Sequence, residues 1–160
     1  MPAASLSPIF RDARRDEVPI IARLLADDAL GRMREAGDGG EALAPTYLSA
    51  FDAIAADPNN RLIVVDHGGD VIGCMQLTII PQMTFTGGKR LQIEGVRIGG
   101  AHRGGGIGAA MIDWAIAFAR EEGCHLVQLT SNKSRSDALR FYEECGFEPS
   151  HVGYKLYIVE

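Results

Sequence analysis

A concentrated run of glycines is the feature of this 160-residue sequence whose residue types and spacing best suit chemistry. Seven of the fourteen residues from Gly95 to Gly108 are glycine, against 19 in the whole chain. Arg103 stands inside the run, and an apolar helical pattern begins at Ile107. Glycines remove the side chains that would hold a phosphate away from the unpaired N–H groups of a helix N-terminus. Residues 98–108 are therefore interpreted as a pyrophosphate cradle, with Arg103 adding a charged fork.

Two common nucleotide-binding motifs fit this run poorly. The nucleoside triphosphate loop requires a lysine and a hydroxyl residue after the glycines, and neither follows here. A dinucleotide pattern can be placed on Gly104, Gly106 and Ala109, but it also needs an acidic residue at the end of the next strand. The sequence has Thr130-Ser131-Asn132 at that place. The dinucleotide interpretation is therefore the weaker alternative.

Two motifs in the second half of the chain carry a family resemblance. The segment 103–108 reads Arg-Gly-Gly-Gly-Ile-Gly between a predicted strand and a predicted helix. A later helical pattern contains Ala138, Phe141, Tyr142, Gly146 and Phe147. In this order, with one strand between them, the motifs resemble the coenzyme A signature and the late-helix marker of the GNAT superfamily of N-acetyltransferases. The resemblance covers about residues 91–147.

The resemblance implies a site for acetyl-coenzyme A in a gap between two parallel strands. Backbone groups of residues 96–98 would pair with the pantetheine arm, and one N–H there would polarise the thioester carbonyl. The sequence departs from the family at Arg135, where many members have Asn, and Asn132 is the candidate replacement. The residues expected to contact the cosubstrate are Val96, Arg97, Ile98, Arg103, Gly104, Gly105, Gly106, Ile107, Gly108, Asn132, Arg135 and Tyr142.

Two side chains are candidates for the proton transfers of such a reaction. An alkyl amine arrives mainly as ammonium and must lose a proton, and Glu94 is the candidate base. Glu94 lies in the otherwise apolar end of a strand, where desolvation is expected to raise the pKa of its carboxyl. Tyr142 is the candidate acid, because the usual phenol pKa of about 10 exceeds the thiol value of about 8.5. The alternatives are a surface carboxylate for Glu94 and a core tyrosine for Tyr142.

Composition bounds the class of protein and its partners. The net charge of −5 argues against nucleic-acid binding by bulk charge, and no apolar run is long enough for a membrane span. Cys74, Cys124 and Cys145 cannot all pair, which indicates free thiols and a cytoplasmic location. The four histidines have no metal-ligand spacing, so no metal is expected.

The pattern of elements predicts how the cradle is positioned. A helix is expected from Asp16, a loop over 31–45, a second helix over 46–56, and antiparallel strands over 61–66, 71–80 and 89–98. A helix, a strand over 125–130 and another helix follow, so the last two of these strands should be parallel. Short strands are also expected at 7–11, 147–150 and 153–158.

The sequence thus predicts a single α+β domain over residues 1–160. Its mixed, mostly antiparallel sheet would splay between two parallel strands, with helices on both faces. The expected activity is acetyl transfer from acetyl-coenzyme A to a primary amine of a small molecule or peptide, by direct attack in a ternary complex. The alternative is a catalytically silent module that binds or senses acyl-coenzyme A. The acceptor, the length of the acyl chain and the formation of a homodimer are left open.

Overall fold

A computed structural model describes residues 7–35 and 45–158 of the chain. Five strands form one sheet in chain order. They are β1 (Ile9–Asp12), β2 (Asn60–His67), β3 (Asp70–Pro81), β4 (Lys89–Ile98) and β5 (Leu126–Leu129). The first four strands pair antiparallel, and β4 pairs parallel to β5. The predicted mixed, mostly antiparallel sheet is therefore confirmed.

Helices cover both faces of this sheet. They are α1 (Val18–Ala26), α2 (Ala29–Arg34), α3 (Pro45–Ala56), the single turn α4 (Thr84–Gly87), α5 (Ile107–Glu121) and α6 (Ser136–Glu144). On one face, Met111, Ile112 and Ala115 of α5 are fully buried against the sheet. On the other face, Ile21 and Leu24 of α1 form a second cluster with strand residues. Over the described residues, no helix is long and apolar enough to cross a bilayer.

A bulge in β4 decides which side chains share a face near the gap. Cys74 pairs with Arg97, and Gln76 pairs with Glu94. The two residues at 95 and 96 therefore lie opposite one residue of β3, Met75. Gly95 has a φ of 60°, which a side chain would disfavour. The extra residue reverses the alternation, because side chains of a regular strand change face at every step. Glu94 and Arg97 therefore lie on the same face, the one covered by α1.

Three predicted elements differ in the structure. The predicted loop over 31–45 contains the end of α2, and its residues 36–44 lie outside the described part. The strands predicted over 147–150 and 153–158 are wrong, because the structure has no strand there. The last segment does have alternating apolar residues, but it pairs with no strand in the part of the chain that the structure describes.

A buried carboxylate joins β1, β2 and the start of α1. The Glu17 side chain is 7% exposed and accepts from both terminal nitrogens of Arg11, at 2.6 and 3.0 Å. Arg11 also donates to Asp66, and Glu17 accepts from the Arg14 amide at 2.7 Å. The hydrogen bonds from Arg11 lower the pKa of Glu17, although burial opposes them. The folded state is therefore stabilised by the ionised form of Glu17.

We predict that Glu17→Gln lowers the free energy of unfolding at neutral pH by about 1.5–3 kcal/mol, because it removes a charged acceptor from Arg11. The pKa of Glu17 is lower in the folded than in the unfolded state. Its contribution is therefore complete above the ordinary carboxyl pKa of about 4.3 and is lost as the pH falls through the folded value. Urea unfolding of both proteins across this range measures the difference.

The control for this prediction is Asp52→Asn. Asp52 also pairs with an arginine, Arg15, at 2.8 Å, but its side chain is 53% exposed. An exposed pair contributes about 0–1 kcal/mol, so the control should change stability little. Equal losses in the two variants, or a Glu17 effect that persists in acid, would contradict the role given to this carboxylate.

Candidate active site

The two parallel strands separate just before the glycine run. Pairing between β4 and β5 covers four residue pairs and ends where Ile93 meets Leu129. The Gly99 amide donates to Ile72 on β3 at 2.8 Å. Because alternate residues of a strand direct their backbone groups to the same edge, the N–H groups of Val96 and Ile98 face away from β3, into the gap. The sheet therefore splays between its two parallel strands.

The glycine run after β4 presents bare amides. Gly104 and Gly106 both have a φ of 81°, and Gly106 is the N-cap residue of α5. Within the described part of the chain, the amides of residues 103–108 have no protein acceptor. A Cβ built at Gly104 or Gly106 would meet no atom within 4 Å, so the space in front of these amides is open. Unpaired amides at a helix start suit a diphosphate, so the residues fit the implied cosubstrate.

Arg103 holds the cradle to the end of α1. Its Nε donates to the Ile98 carbonyl at 2.9 Å, and its Nη2 donates to the backbone and carboxylate of Asp27, both at 3.1 Å. Asp27 also accepts from the Gly100 amide. The sequence predicts Arg103 as a charged fork for phosphate, but two of its nitrogens shape the turn instead. Asp27 was missed, because nothing in its own sequence context links it to the glycine run.

A second aspartate joins two arginines on the α1 face. Asp28 pairs with Arg135 at 3.1 Å and with Arg97 at 3.6 Å, and Arg97 is 7% exposed. Asp28 also caps α2, since its carboxylate accepts from the Gly31 amide. These side chains bring the end of β4, the start of α6 and the α1–α2 junction together. Arg135, the departure from the family pattern, is therefore held in place by a partner on a distant part of the chain.

Tyr142 lies on α6, partly buried beside two aromatic rings. Its ring centroid is 5.1 Å from that of Phe141 and 6.0 Å from that of Phe147. The hydroxyl makes no hydrogen bond to any described residue. Burial raises the pKa of the Tyr142 phenol, and the charges of Arg135 and Arg97 oppose this only in part. The phenol therefore holds its proton at neutral pH and is available as a donor.

Glu94 is exposed, so the desolvation expected from the sequence is not found. It borders a row of polar side chains on the same face of the sheet. The row consists of the residues in register across β2, β3, β4 and β5, namely Asn60, Thr78, Gln92 and Gln128. Residues in register share a face, so these four lie on the face of Glu94, and Gln76 beside them donates to Asn60 at 3.1 Å. The sheet therefore has a polar surface next to the gap.

The other residues that were predicted to contact the cosubstrate have different places in the structure. The Asn132 carboxamide oxygen accepts from the amide and the hydroxyl of Ser134, so it forms a turn. A Cβ on Gly108 would lie 3.2 Å from the Phe141 ring, so this glycine lets α5 approach α6. Ile107 packs against the main core, and Gly105 lies in the turn before α5.

Ser131 is a further residue that the sequence analysis missed. Its hydroxyl is buried with no hydrogen-bond partner among the residues that the structure describes, and it lies two residues beyond the end of β5. A buried polar group normally has a partner, so this hydroxyl suits a polar ligand in the gap. Elsewhere among residues 7–35 and 45–158, no group of three or more histidines, cysteines and acidic residues is arranged to hold a metal ion.

Comparison with known proteins places this site in a family. The model of the acetyltransferase (GNAT) family matches residues 21–147. An aminoalkylphosphonate N-acetyltransferase of Salmonella typhimurium is 30% identical over 111 residues, which cover 68% of this chain and 70% of that protein. A Trypanosoma brucei acetyltransferase is similar in structure, with a TM-score of 0.75 and 25% identity over 95% of this chain and all of that one.

The structure of a protein from Bacillus halodurans C-125 named as a transcriptional regulator is also similar. It has a TM-score of 0.90 and is 45% identical, covering 95% of this chain and 100% of that one. The splayed parallel strands, the bare amides before α5 and the tyrosine of α6 agree with the match to the family model. The chain belongs to the GNAT family of acetyltransferases.

Proposed function

We propose that this protein transfers the acetyl group of acetyl-coenzyme A to a primary amine of a small molecule or peptide, in a ternary complex. The observation that carries the proposal is two separate groups of backbone amides that face open space: those of Val96 and Ile98 in the gap, and those of the turn at 103–108. The first group suits a pantetheine arm and the second suits a diphosphate. The amine would enter over the face that holds Glu94.

The Val96 amide is the donor for the thioester oxygen. Bound acetyl-coenzyme A supplies a thioester, whose carbonyl oxygen gains negative charge as the amine attacks. A fixed N–H group stabilises that charge more in the transition state than in the ground state. Val96 suits the task because it is the second residue of the bulge and lies beyond Ile93, where pairing with β5 ends. Arg97 donates to the Val96 carbonyl at 2.8 Å and thereby helps to fix the peptide that follows Val96.

Tyr142 and Glu94 move the two protons. Tyr142 would donate its phenol proton to the departing thiolate, since the phenol is protonated at neutral pH and has no protein acceptor in the described part. Glu94 would accept the proton of the ammonium, directly or through water. Its exposure suits a group that meets the acceptor from solvent. Ser131, Asn132 and Arg135 would line the pantetheine arm beyond β5.

The row of polar side chains favours a polar acceptor. Amide and hydroxyl groups at Asn60, Thr78, Gln92 and Gln128 offer both donors and acceptors beside Glu94. The Salmonella relative is named for an amine with a phosphonate group.

A module that senses acyl-coenzyme A without chemistry is the second candidate. The Bacillus halodurans protein, which is 45% identical, carries the name of a transcriptional regulator. Such a module would bind coenzyme A but release no free thiol with any amine. A thiol-release screen against antibiotics, polyamines, peptides and aminophosphonates therefore separates the two candidates.

The first prediction of this proposal concerns the cradle. Gly106→Glu should weaken coenzyme A binding by about 100-fold or more, equivalent to about 2.8 kcal/mol, through bulk and like charge before the bare amides. Isothermal titration at low salt measures the affinity. Gly123→Glu is the matched control, because Gly123 follows the same helix with a φ of 70° and equally open space. Equal affinity losses in both variants, or no binding by the unmodified chain, would refute the cradle.

The second prediction concerns the acid. Tyr142→Phe should leave coenzyme A affinity within about threefold and lower kcat by roughly 100-fold or more, because only the proton donor is lost. Steady-state kinetics and titration measure the two quantities separately. A variant with unchanged kcat would remove Tyr142 from the acid role, and one that loses affinity instead would make it a packing residue.

The third prediction concerns the base. Glu94→Gln should flatten the rise of kcat/KM with pH, because the variant cannot accept a proton from the ammonium. The control is Glu121→Gln, an exposed glutamate at the end of α5. A variant whose pH profile matches that of the unmodified enzyme would exclude Glu94 as the base.

A further inference from the structure

Arg90 is a partly buried cation without an anionic partner among the described residues. Its Nη1 donates to the Gln128 carboxamide oxygen at 2.9 Å, and its Nε is buried with no hydrogen-bond partner there. The other described arginines that are at least partly buried each pair with a carboxylate, namely Arg11, Arg61, Arg97 and Arg135. A guanidinium removed from water is costly unless an opposite charge and hydrogen bonds compensate it. Arg90 therefore suits an anion that the described part of the chain does not supply.

One edge of the Arg90 guanidinium is free. Hydrogen bonds run from Arg90 to Gln128 and from Gln128 to Gln92, so the guanidinium is held through Nη1 alone. Its Nε and Nη2 bond to no described residue. In Arg15 and Arg61, this same Nε–Nη2 edge holds both oxygens of one aspartate. The free edge of Arg90 thus has the geometry to bind a carboxylate or a phosphonate.

Arg90 shares a face of the sheet with the candidate base. Arg90, Gln92 and Glu94 occupy alternate positions of β4, and alternate side chains of a strand point to the same face. The bulge begins after Glu94, so the pairing with β3 is regular over these three residues. The Cα atoms of Arg90 and Glu94 are about 13 Å apart, at about 3.3 Å per residue. Two long side chains and a small acceptor can bridge this distance.

We propose that Arg90 binds an oxyanion of the acceptor, so that the substrate is a primary amine that also carries a carboxylate or a phosphonate. This inference rests on the proposed acetyl transfer and names the class of acceptor. The anion would pair with the free edge of Arg90, and the amine would lie beside Glu94. Gln92 would contact the part of the acceptor that joins the two groups. A neutral amine would leave Arg90 unpaired, so the site would discriminate against it.

Three amines with the same two-carbon chain test this class of acceptor. They are β-alanine, aminoethylphosphonate and ethanolamine, which carry a carboxylate, a phosphonate and a neutral hydroxyl. We expect kcat/KM, measured by thiol release from acetyl-coenzyme A, to be about 10-fold or more higher for one of the anionic amines than for ethanolamine. The better of the two identifies the anion that Arg90 binds. Aminohexanoate and aminohexanol repeat the comparison for a longer acceptor.

Arg90→Gln should remove this preference. We expect it to lower kcat/KM for the preferred anionic amine by about 10–100-fold, mainly through KM, and to leave the value for the neutral analogue within about threefold. Arg90→Lys should restore part of the loss, since it keeps the charge without the planar fork. The matched control is Arg120→Gln, which should change neither value, because Arg120 is an exposed arginine of α5 that pairs with no described carboxylate.

Titration of the same amines into the complex of the protein with coenzyme A tests the subsite without any reaction. The preferred anionic amine should bind about 10-fold or more tightly than its neutral analogue, and Arg90→Gln should remove the difference. If no amine releases thiol but this difference in binding is present, the proposed acetyl transfer fails and the subsite stands. The absence of a preference in binding and in transfer at both chain lengths would overturn the subsite, as would a preference that persists in Arg90→Gln.

Discussion

The early end of the ladder between β4 and β5 is the constraint on which the rest of this structure depends. A parallel pair normally saturates its backbone groups along its whole length, and unpaired buried groups are costly. Here the ladder stops at Ile93, and the bulge at Gly95 turns the next residues out of register. The N–H groups of Val96 and Ile98 are left without a strand partner, so a ligand that supplies carbonyl groups restores what the sheet omits. The gap is therefore the part of the sheet with open backbone groups, which is why we propose it as the binding surface.

Ionic contacts from α1 and α2 hold the gap open in a defined shape. Asp27 binds the turn through Arg103 and Gly100, and Asp28 binds Arg97 and Arg135 on either side of the gap. Both carboxylates lie at the junction between α1 and α2. Because α1 packs its apolar side on the sheet, the position of these carboxylates is fixed by the core. The position of the cradle therefore depends on the packing of α1 in the core.

The sequence predicted the features that depend on local rules. The five strands of the sheet and the helix after the glycine run follow from the periodicity of the apolar residues. The gap itself was predicted only through the family resemblance. The partners of Arg103 and Arg135 lie on distant elements, so no local pattern contains them.

The exposure of Glu94 was missed for a different reason. Glu94 has apolar neighbours in the sequence, and these were expected to surround it in the fold. Successive side chains of a strand point to opposite faces, however, so Ile93 lies in the core and Glu94 lies on the polar face. The row of polar residues on that face could not be predicted as a whole, because its members come from four strands. A strand was predicted over 153–158, but the segment pairs with no strand in the part of the chain that the structure describes. Periodicity shows that a segment has one apolar face and does not show what covers that face.

Strand β5 forms one wall of the gap. It has only four residues, and its inner edge is paired with β4 at those residues alone. A short strand at the edge of a sheet opens easily, because few hydrogen bonds hold it. Ser131 and Asn132, which would line the pantetheine arm, directly follow this strand. This short wall is held by its pairing with β4, so a ligand that pairs with the gap would order the residues that follow β5.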